Sequence, residues 1–495
     1  MKAAIIGSGV ASLAISIRLA KLGYDVQVFE ANESIGGKLY SFHQDGYRFD
    51  GGPSLFTMPM YVTELLALAD LNETDVFDYE ELEESCRYFW PDGSQLKGFS
   101  NPEKFAQEAE QAFGVDRNTV LAYFDHIKSI YESSGKIFLE KSLHQSETWL
   151  SKDALSALLK IHRFDLFKSM HQANLKQLKE PHLVQLFDRF ATYNGSNPYK
   201  APGILNVIPW LEHGFGTFFP KGGMRQIPIA LEQAAKKLGV QFHTNCLVKE
   251  ILHDKKGANG LLVQMQSEGD QTFQADVVVS NSDVYYTYEN LLPNVPTPKR
   301  IKTQERSGSA VVFYWGIARS FPELHLHNIF FSNDYKKEFE TLFTEKQLPE
   351  DPTVYVNVSS KLEKSDAPES CENWFVMINA PSHESQDWRN SISQLRARVI
   401  KILGDRLQVN LEKLIATERI WSPPDIQRDT MSFKGALYGT SSNSQLAAFL
   451  RHPNFSNQLE HLYFCGGSVH PGGGIPLALL SAKITSEIIT DHEAE

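Results

Sequence analysis

Apolar positions in the first thirty residues change spacing twice, which predicts a strand, a helix and a second strand. Residues 3–6 are continuously apolar, as in a short buried strand. Residues from about 11 to 22 carry apolar side chains at the spacing of one helix face. Residues 25–29 return to a strand pattern that ends at Glu30. This order is typical of a βαβ unit in a parallel sheet.

Glycines occupy the turn between the first strand and the helix. Gly7 permits a sharp turn out of the strand, and Gly9 lets backbone N–H groups approach a pyrophosphate without a Cβ in the way. Ser12 replaces the third glycine of the G-x-G-x-x-G pattern, but it is small enough to keep the helix near the strand. Glu30 lies where a carboxylate can accept hydrogen bonds from ribose hydroxyls. The spacing predicts a dinucleotide site; the alternative is an ordinary helix-packing turn.

Further along, one stretch predicts another helix and strand, and a later apolar strand is expected in the same sheet as the first two. Residues 222–251 give a glycine turn, an amphipathic helix and a strand that carries Val248. Residues 275–283 include an all-apolar strand, typical of a sheet buried on both faces.

The intervening stretches differ in pattern, which predicts a second domain. Residues from about 86 to 214 are largely helical, and residues from about 286 to 430 mix strands with helices. We expect an α/β fold in which a dinucleotide-binding domain alternates along the chain with an α+β substrate domain, and a groove at their boundary is the default ligand site. The first domain is predicted to comprise residues 1–85, 215–285 and 431–495, and the second residues 86–214 and 286–430.

Composition and charge exclude several classes of protein. A chain of 495 residues is too long for one hydrophobic core, which stops growing near about 250 to 300 residues. The net charge of −12 gives no support for a nucleic-acid-binding protein, which would need a clustered basic face. The cysteines show no CxxC or His-paired spacing, so we predict neither a metal site nor a disulfide scaffold. They are Cys86, Cys246, Cys371 and Cys465.

The expected location is cytoplasmic. The first ten residues begin a strand and a glycine turn at once, which leaves no room for a signal peptide. No run of about 18 apolar residues offers a membrane span, although docking on a membrane surface stays open.

One segment is basic and amphipathic in this acidic chain. Residues 149–179 contain six cations against only Asp153 and Asp165. The apolar positions can pack on the core, or they can dock on an anionic bilayer together with the cations, which would suit a water-insoluble substrate. The cations are Lys152, Lys160, Arg163, Lys168, Lys176 and Lys179.

Two glycine clusters after the βαβ unit carry a family resemblance. Gly36, Gly37 and Lys38 follow Glu30, and a second cluster contains Gly52, Pro53 and Ser54. The chain here resembles the FAD-binding amine-oxidase and carotenoid-desaturase superfamily, which has a GG-[KR] turn after the acidic residue and a D-x-G-P-[ST] segment beside the flavin. Lysine stands where arginine is commoner, and it can pair with phosphate as a point charge. The resemblance implies FAD as cofactor and adenine contact at the backbone of Val248.

The C-terminal region resembles the bacterial-type carotenoid desaturases, relatives of phytoene desaturase. The runs "GTSSNSQLAAFLRHPN" and "GGSVHPGGGIPLALLSAKI" look most like those of hydroxycarotenoid desaturases. This resemblance implies C-3,4 desaturation of a 1-hydroxylated carotenoid such as 1'-hydroxy-γ-carotene. A phytoene desaturase and a related FAD-dependent carotenoid isomerase are the alternatives.

The chemistry of desaturation agrees with a flavin. Removal of two hydrogens from adjacent carbons needs a hydride acceptor, which no side chain can supply. Hydride would pass to flavin N5, and a weak base or water would take the proton from the neighbouring carbon. The resemblance implies oxygen or a membrane quinone as electron acceptor. Two other functions on the same scaffold are less favoured. A flavin amine oxidase would need an aromatic cage and a charged partner for the amine of its substrate. Lipid carriers of the Rab escort and GDP-dissociation-inhibitor type bind no flavin, so they would not need the glycines of the turn or Glu30.

The glycine- and proline-rich run near the end of the chain is predicted to form a wall of the flavin site. Its glycines admit the ring, and the start of the last helix can stabilise negative charge on the flavin. His470 is the candidate catalytic residue by type; the alternative is a structural role in which it bonds backbone carbonyls. The candidate cofactor contacts are Gly466, Gly467, Gly474, Ile475 and Pro476.

Overall fold

A computed structural model of the chain describes residues 1–160, 164–265, 269–384, 386–444, 447 and 450–493. Its strands lie in five sheets. In chain order they are β1 Lys2–Ile6, β2 Asp25–Phe29, β3 Ser41–Gln44, β4 Tyr47–Asp50, β5 Tyr79–Leu82, β6 Glu84–Phe89, β7 Gln95–Phe99, β8 Thr217–Pro220, β9 Gln241–His243, β10 Cys246–Asp254, β11 Gly257–Met265, β12 Gly269–Gln274, β13 Val277–Ser280, β14 Ser309–Ile317, β15 His327–Phe330, β16 Val354–Asn357, β17 Glu372–Ala380, β18 Ile415–Trp421 and β19 Leu462–Phe464.

Helices connect these strands and also form a separate insert between β7 and β8. They are α1 Val10–Lys21, α2 Met60–Leu68, α3 Glu73–Val76, α4 Pro102–Phe113, α5 Arg117–Glu140, α6 Ser146–Leu150, α7 Lys152–Leu159, α8 Met170–Leu178, α9 Pro181–Asp188, α10 Val207–His213, α11 Gln226–Lys237, α12 Val284–Tyr286, α13 Lys299–Thr303, α14 Tyr335–Glu340, α15 Trp388–Leu407, α16 Pro423–Thr430 and α17 Ile475–Glu493. In the part of the chain that the structure describes, no helix is both long and apolar enough to cross a bilayer.

The five-stranded sheet is parallel and has the order β19-β13-β1-β2-β9. Ala3 and Ile5 of β1 face α1, α11 and α17, whereas Ala4 and Ile6 face the antiparallel sheet β10-β11-β12. Cover on both faces explains why these strands are continuously apolar. The predicted βαβ unit is confirmed to within one residue at each end, and the apolar strand predicted in residues 275–283 is β13, directly beside β1.

The second large sheet has seven strands in the order β18-β14-β17-β16-β15-β6-β7. One of its faces packs on α15 through Val311, Phe313 and Trp315, which alternate along β14. Strands predicted between residues 286 and 430 are confirmed as β14, β16 and β17.

Residues 86–99 differ from the predicted helical pattern, because they form most of β6 and all of β7. Their turn is built from Pro91, Asp92 and Gly93, and the helices of the insert begin only at Pro102. The short apolar runs here can form a helix or a strand, and the parallel pairing of β6 with β15 favours the strand.

Candidate functional site

A cavity of about 620 Å³ extends from the carboxyl end of the five-stranded sheet to the free face of the seven-stranded sheet. Ligands of open α/β sheets bind outside the carboxyl ends of the strands. All predicted cofactor residues except Ser12 line this cavity: Gly7, Gly9, Glu30, Gly36, Gly37, Lys38, Gly52, Pro53, Ser54, Val248, Gly466, Gly467, Gly474, Ile475 and Pro476.

The loop between β1 and α1 turns through Gly7, whose φ is 82°. The Gly7 N–H donates to the Phe29 carbonyl at 2.8 Å, which fixes the loop against the end of β2. A Cβ added at Gly37 would lie 3.1 Å from the Gly9 Cα, so the two glycine turns contact each other through bare backbone. The first turn of α1 begins at Val10 and opens on the cavity, where its free N–H groups suit a phosphate.

Glu30 is 7% exposed and lies at the end of β2. One carboxylate oxygen accepts the Ser8 N–H at 2.8 Å and the Ser8 hydroxyl at 2.7 Å. The other accepts the Asn32 backbone N–H at 2.9 Å and its side-chain amide at 2.8 Å. The Ser8 hydroxyl and the Asn32 amide are the rotatable donors that ribose hydroxyls can replace.

Lys38 points its ammonium to the Leu437 carbonyl, 3.2 Å away. Burial lowers the pKa of Lys38 to about 8, although Asp283 opposes the shift. A buried cation with one carbonyl partner has capacity for an anionic ligand.

Gly52 lies against the turn that holds Lys38. A Cβ at Gly52 would be 1.8 Å from the Lys38 carbonyl oxygen, so only glycine allows these segments to pack. Two residues on, the Ser54 hydroxyl lies 2.6 Å from the Tyr355 hydroxyl and ties this segment to the seven-stranded sheet.

The glycine- and proline-rich run borders the cavity between β19 and α17. Gly474 has a φ of 104°, and a Cβ added there, as at Gly7, would meet no described atom within 4 Å. Open space therefore lies beside the backbone of Gly7, where a phosphate would bind, and beside the backbone of Gly474, where the flavin ring would bind. Pro476 is the second residue of α17, where its missing N–H costs no helical hydrogen bond. These features fit a bound FAD.

Ser12 and His470 are not part of the cavity wall. Ser12 is completely buried inside α1, which agrees with the packing role expected of a small residue there. His470 is 1% exposed, and its Nε2 contacts the Lys141 carbonyl at 2.8 Å. Burial lowers the pKa of His470 to about 4, so the ring is neutral near pH 7 and Nε2–H donates to that carbonyl.

The other walls of the cavity are mainly apolar. Its floor is one face of the seven-stranded sheet, where alternate residues point the same way. Its roof comes from the helical insert. The apolar floor residues are Ala310, Val312, Ile329, Phe375 and Met377, and roof residues include Leu139, Leu143, Ile204, Val207, Ile208 and Leu211.

Beside β15 and β16 the cavity wall becomes polar. Arg189, which is 7% exposed, donates to the Tyr193 hydroxyl at 3.1 Å and to the Tyr88 hydroxyl at 3.2 Å. Tyr193 in turn donates to Glu212 at 2.9 Å. His327 also lines this part of the wall. These residues carry no signal in the sequence, because they come from four separate segments and belong to no local motif.

Comparison with known proteins agrees with this geometry. The family described as flavin containing amine oxidoreductase matches residues 11–490. The 1-hydroxycarotenoid 3,4-desaturase of Flavobacterium sp. (strain P99-3) is 48% identical over 493 residues, which is 100% of both chains. The 4,4'-diapolycopene oxygenase of Methylomonas sp. is 32% identical over 489 residues, covering 98% of this chain and 97% of that one.

Among solved structures, an oxidoreductase from Methanosarcina mazei superimposes with a TM-score of 0.61 at 16% identity, covering 98% of this chain and 100% of the other. At that identity the likeness supports the fold alone. The predicted α/β fold with an FAD-binding domain is confirmed, and so is FAD as the cofactor. The chain belongs to the flavin-containing amine oxidoreductase family and, within it, to the carotenoid desaturases.

Proposed function

We propose that the protein is an FAD-dependent desaturase that introduces the C-3,4 double bond into a 1-hydroxylated carotenoid such as 1'-hydroxy-γ-carotene. The observation that carries this proposal is one continuous cavity that joins a dinucleotide loop to an apolar floor and roof. The relative named 1-hydroxycarotenoid 3,4-desaturase, similar over its full length, supports the choice of substrate.

The chain would position two ligands in that cavity. The bound flavin supplies the hydride acceptor that the reaction needs. The loop Gly7–Val10 and the carboxylate of Glu30 would hold the phosphates and the ribose, and Lys38 would pair with negative charge on the cofactor. The apolar floor and roof would align the polyene and keep water away from the reacting carbons.

We also propose the other lining glycines, together with Pro53, Ser54, Val248, Ile475 and Pro476, as FAD contacts. For His470 we favour the structural role, since it is buried outside the cavity wall. Ser12 would act only by keeping α1 close to β1.

The decisive experiment uses purified holoenzyme with liposomes that contain one carotenoid at a time. A product two hydrogens lighter from the 1-hydroxylated substrate supports the proposal, and a product of unchanged mass indicates an isomerase. Conversion of phytoene but not of the hydroxylated carotenoid would replace this function with phytoene desaturation. Measuring turnover with oxygen alone and with added quinone would decide between the two proposed electron acceptors.

We propose that the segment 149–179 docks the protein on an anionic membrane surface. Of the eleven large apolar side chains that are exposed in the described residues, five lie here: Trp149, Leu150, Leu155, Phe167 and Leu175. Four lysines of the same segment are exposed as well, namely Lys152, Lys160, Lys176 and Lys179. Exposed apolar side chains among lysines are typical of a surface that enters the headgroup region.

One cation of the predicted basic segment is paired within the protein and does not add to this docking surface. Lys168 bonds Asp165 at 2.7 Å, and Arg163 lies outside the described residues. The α5–α8 insert carries both the docking segment and part of the cavity roof, so a carotenoid would pass directly from the bilayer to the cavity. Docking at the cytoplasmic face stays a prediction.

The proposed domain division follows the two large sheets. Residues 1–85, 215–285 and 431–495 would form the FAD-binding domain, and residues 86–214 and 286–430 the substrate domain. Limited proteolysis with and without FAD would test it, because cuts inside the first set should be suppressed by the cofactor.

A further inference from the structure

The polar part of the cavity wall contains a donor without a partner. His327 is 2% exposed and lines the cavity, and its Nε2 has no hydrogen-bond partner among the described residues. A buried donor left unpaired is costly, so it points to a ligand or a water.

The tautomer of His327 follows from its neighbours. The Asn357 side-chain nitrogen donates to the Leu326 carbonyl at 3.1 Å, which fixes the orientation of that amide. The same Asn357 nitrogen lies 3.2 Å from His327 Nδ1, and the Tyr355 hydroxyl lies 2.8 Å from His327 Nδ1. Because an amide nitrogen can only donate, Nδ1 must accept, and the ring proton of the neutral imidazole is on Nε2.

The imidazole stays neutral over the whole physiological range. Burial, with help from the charges of His325 and Arg189, lowers the pKa of His327 to about 3. His327 therefore presents a neutral N–H, which suits an uncharged oxygen rather than an anion.

The position of His327 also suits the proposed reaction. In a 1-hydroxylated end group the oxygen is three bonds from C3, at most about 4 Å away. A side chain that binds this oxygen must therefore lie close to the reacting carbons. Two hydrogen bonds in series connect the ring to the segment that we propose as a flavin contact: the Tyr355 hydroxyl bonds His327 Nδ1, which accepts, and the Ser54 and Tyr355 hydroxyls bond each other.

We propose that His327 selects the substrate by donating from Nε2 to the C1 hydroxyl oxygen, an inference that rests on the proposed function. Arg189 and Tyr193 hold the adjoining wall polar, while Phe375 and Met377 keep the neighbouring floor apolar for the polyene. The hydroxylated end group would thus be recognised by one hydrogen bond at the polar part of a cavity that is otherwise mainly apolar.

Two substitutions separate this role from a structural one. His327→Leu removes the donor, whereas His327→Gln can present an amide N–H near the position of Nε2. Phe330→Leu is the matched control, because Phe330 lies on the same strand but packs on the opposite face of the sheet, away from the cavity. FAD content and thermal unfolding establish that each variant is folded.

Each variant is tested with the 1-hydroxylated carotenoid and with the same carotenoid lacking the hydroxyl. Both kcat/KM and the binding constant, from quenching of tryptophan fluorescence, are measured. We expect His327→Leu to reduce the preference for the hydroxylated compound by about 5- to 150-fold, with partial recovery in His327→Gln and no change in Phe330→Leu.

An unchanged preference in folded His327→Leu overturns the inference. If the wild type binds the hydroxylated compound preferentially through His327 but converts neither compound, the binding role stands and the proposed desaturation is wrong.

Discussion

Removal of apolar side chains from the docking segment should detach the protein from membranes. Leu150 and Phe167 are 84% and 88% exposed, so nearly all of each side chain is available for transfer into lipid. At the lower end of the range for full burial, about 1.5 kcal/mol each, the double variant Leu150→Ser/Phe167→Ser loses about 3 kcal/mol, or roughly 150-fold in partition. The folded core should be unaffected, because neither side chain is buried.

Sedimentation with mixed phosphatidylcholine and phosphatidylserine vesicles measures this partition. Leu22→Ser is the matched control, since Leu22 is 52% exposed at the end of α1, far along the chain from the segment. Neutralisation of Lys176 and Lys179 to glutamine should cost about 1 kcal/mol of membrane binding per lysine and lose its effect at high salt. A double variant that binds vesicles as well as Leu22→Ser does would refute the docking proposal.

Three further predictions concern the cofactor side of the cavity. Glu30→Gln places an amide against the donors of Ser8 or Asn32, so FAD titration should show a dissociation constant raised by about 5- to 150-fold, and an unchanged constant would exclude a ribose contact. Lys38 loses its charge as pH rises through its pKa of about 8. The affinity for FAD should therefore fall above that pH in the wild type but not in Lys38→Arg, which keeps its charge. Parallel pH profiles of FAD affinity in the two proteins would contradict a phosphate contact. His470→Ala should lower the free energy of unfolding by about 1–3 kcal/mol without changing turnover per bound FAD, whereas normal stability with lost turnover would restore the catalytic hypothesis.

The cofactor side of the molecule was predictable because its signals are local. Gly7, Gly9 and Glu30 lie within one βαβ unit, and their spacing alone specifies a turn, a helix start and a strand end. The resemblance to carotenoid desaturases then supplied the cofactor and the residues Gly36 to Ser54. The start of the last helix is predicted beside the glycine- and proline-rich run, and α17 begins within that run at Ile475.

The substrate side could not be predicted in the same way. His327, Tyr355 and Arg189 meet only because β15, β16 and the insert are brought together by long-range pairing, including the parallel contact of β15 with β6. No periodicity in the sequence encodes that contact. The separate sheet formed by β10, β11 and β12 was missed as well, since β10 and β12 are partly exposed and rich in polar residues, so they form no continuous apolar run.

The strand order of the five-stranded sheet has a consequence for biosynthesis. Its edge strand β19 is made after residue 461, and the wall from Gly466 to Pro476 follows it, so a ribosome must pass residue 476 before the flavin compartment can close. The helices of the proposed docking segment leave the ribosome some 300 residues earlier. If that segment docks as we propose, the nascent chain would meet the bilayer as an apoprotein, and flavin capture would follow only after α17 is made.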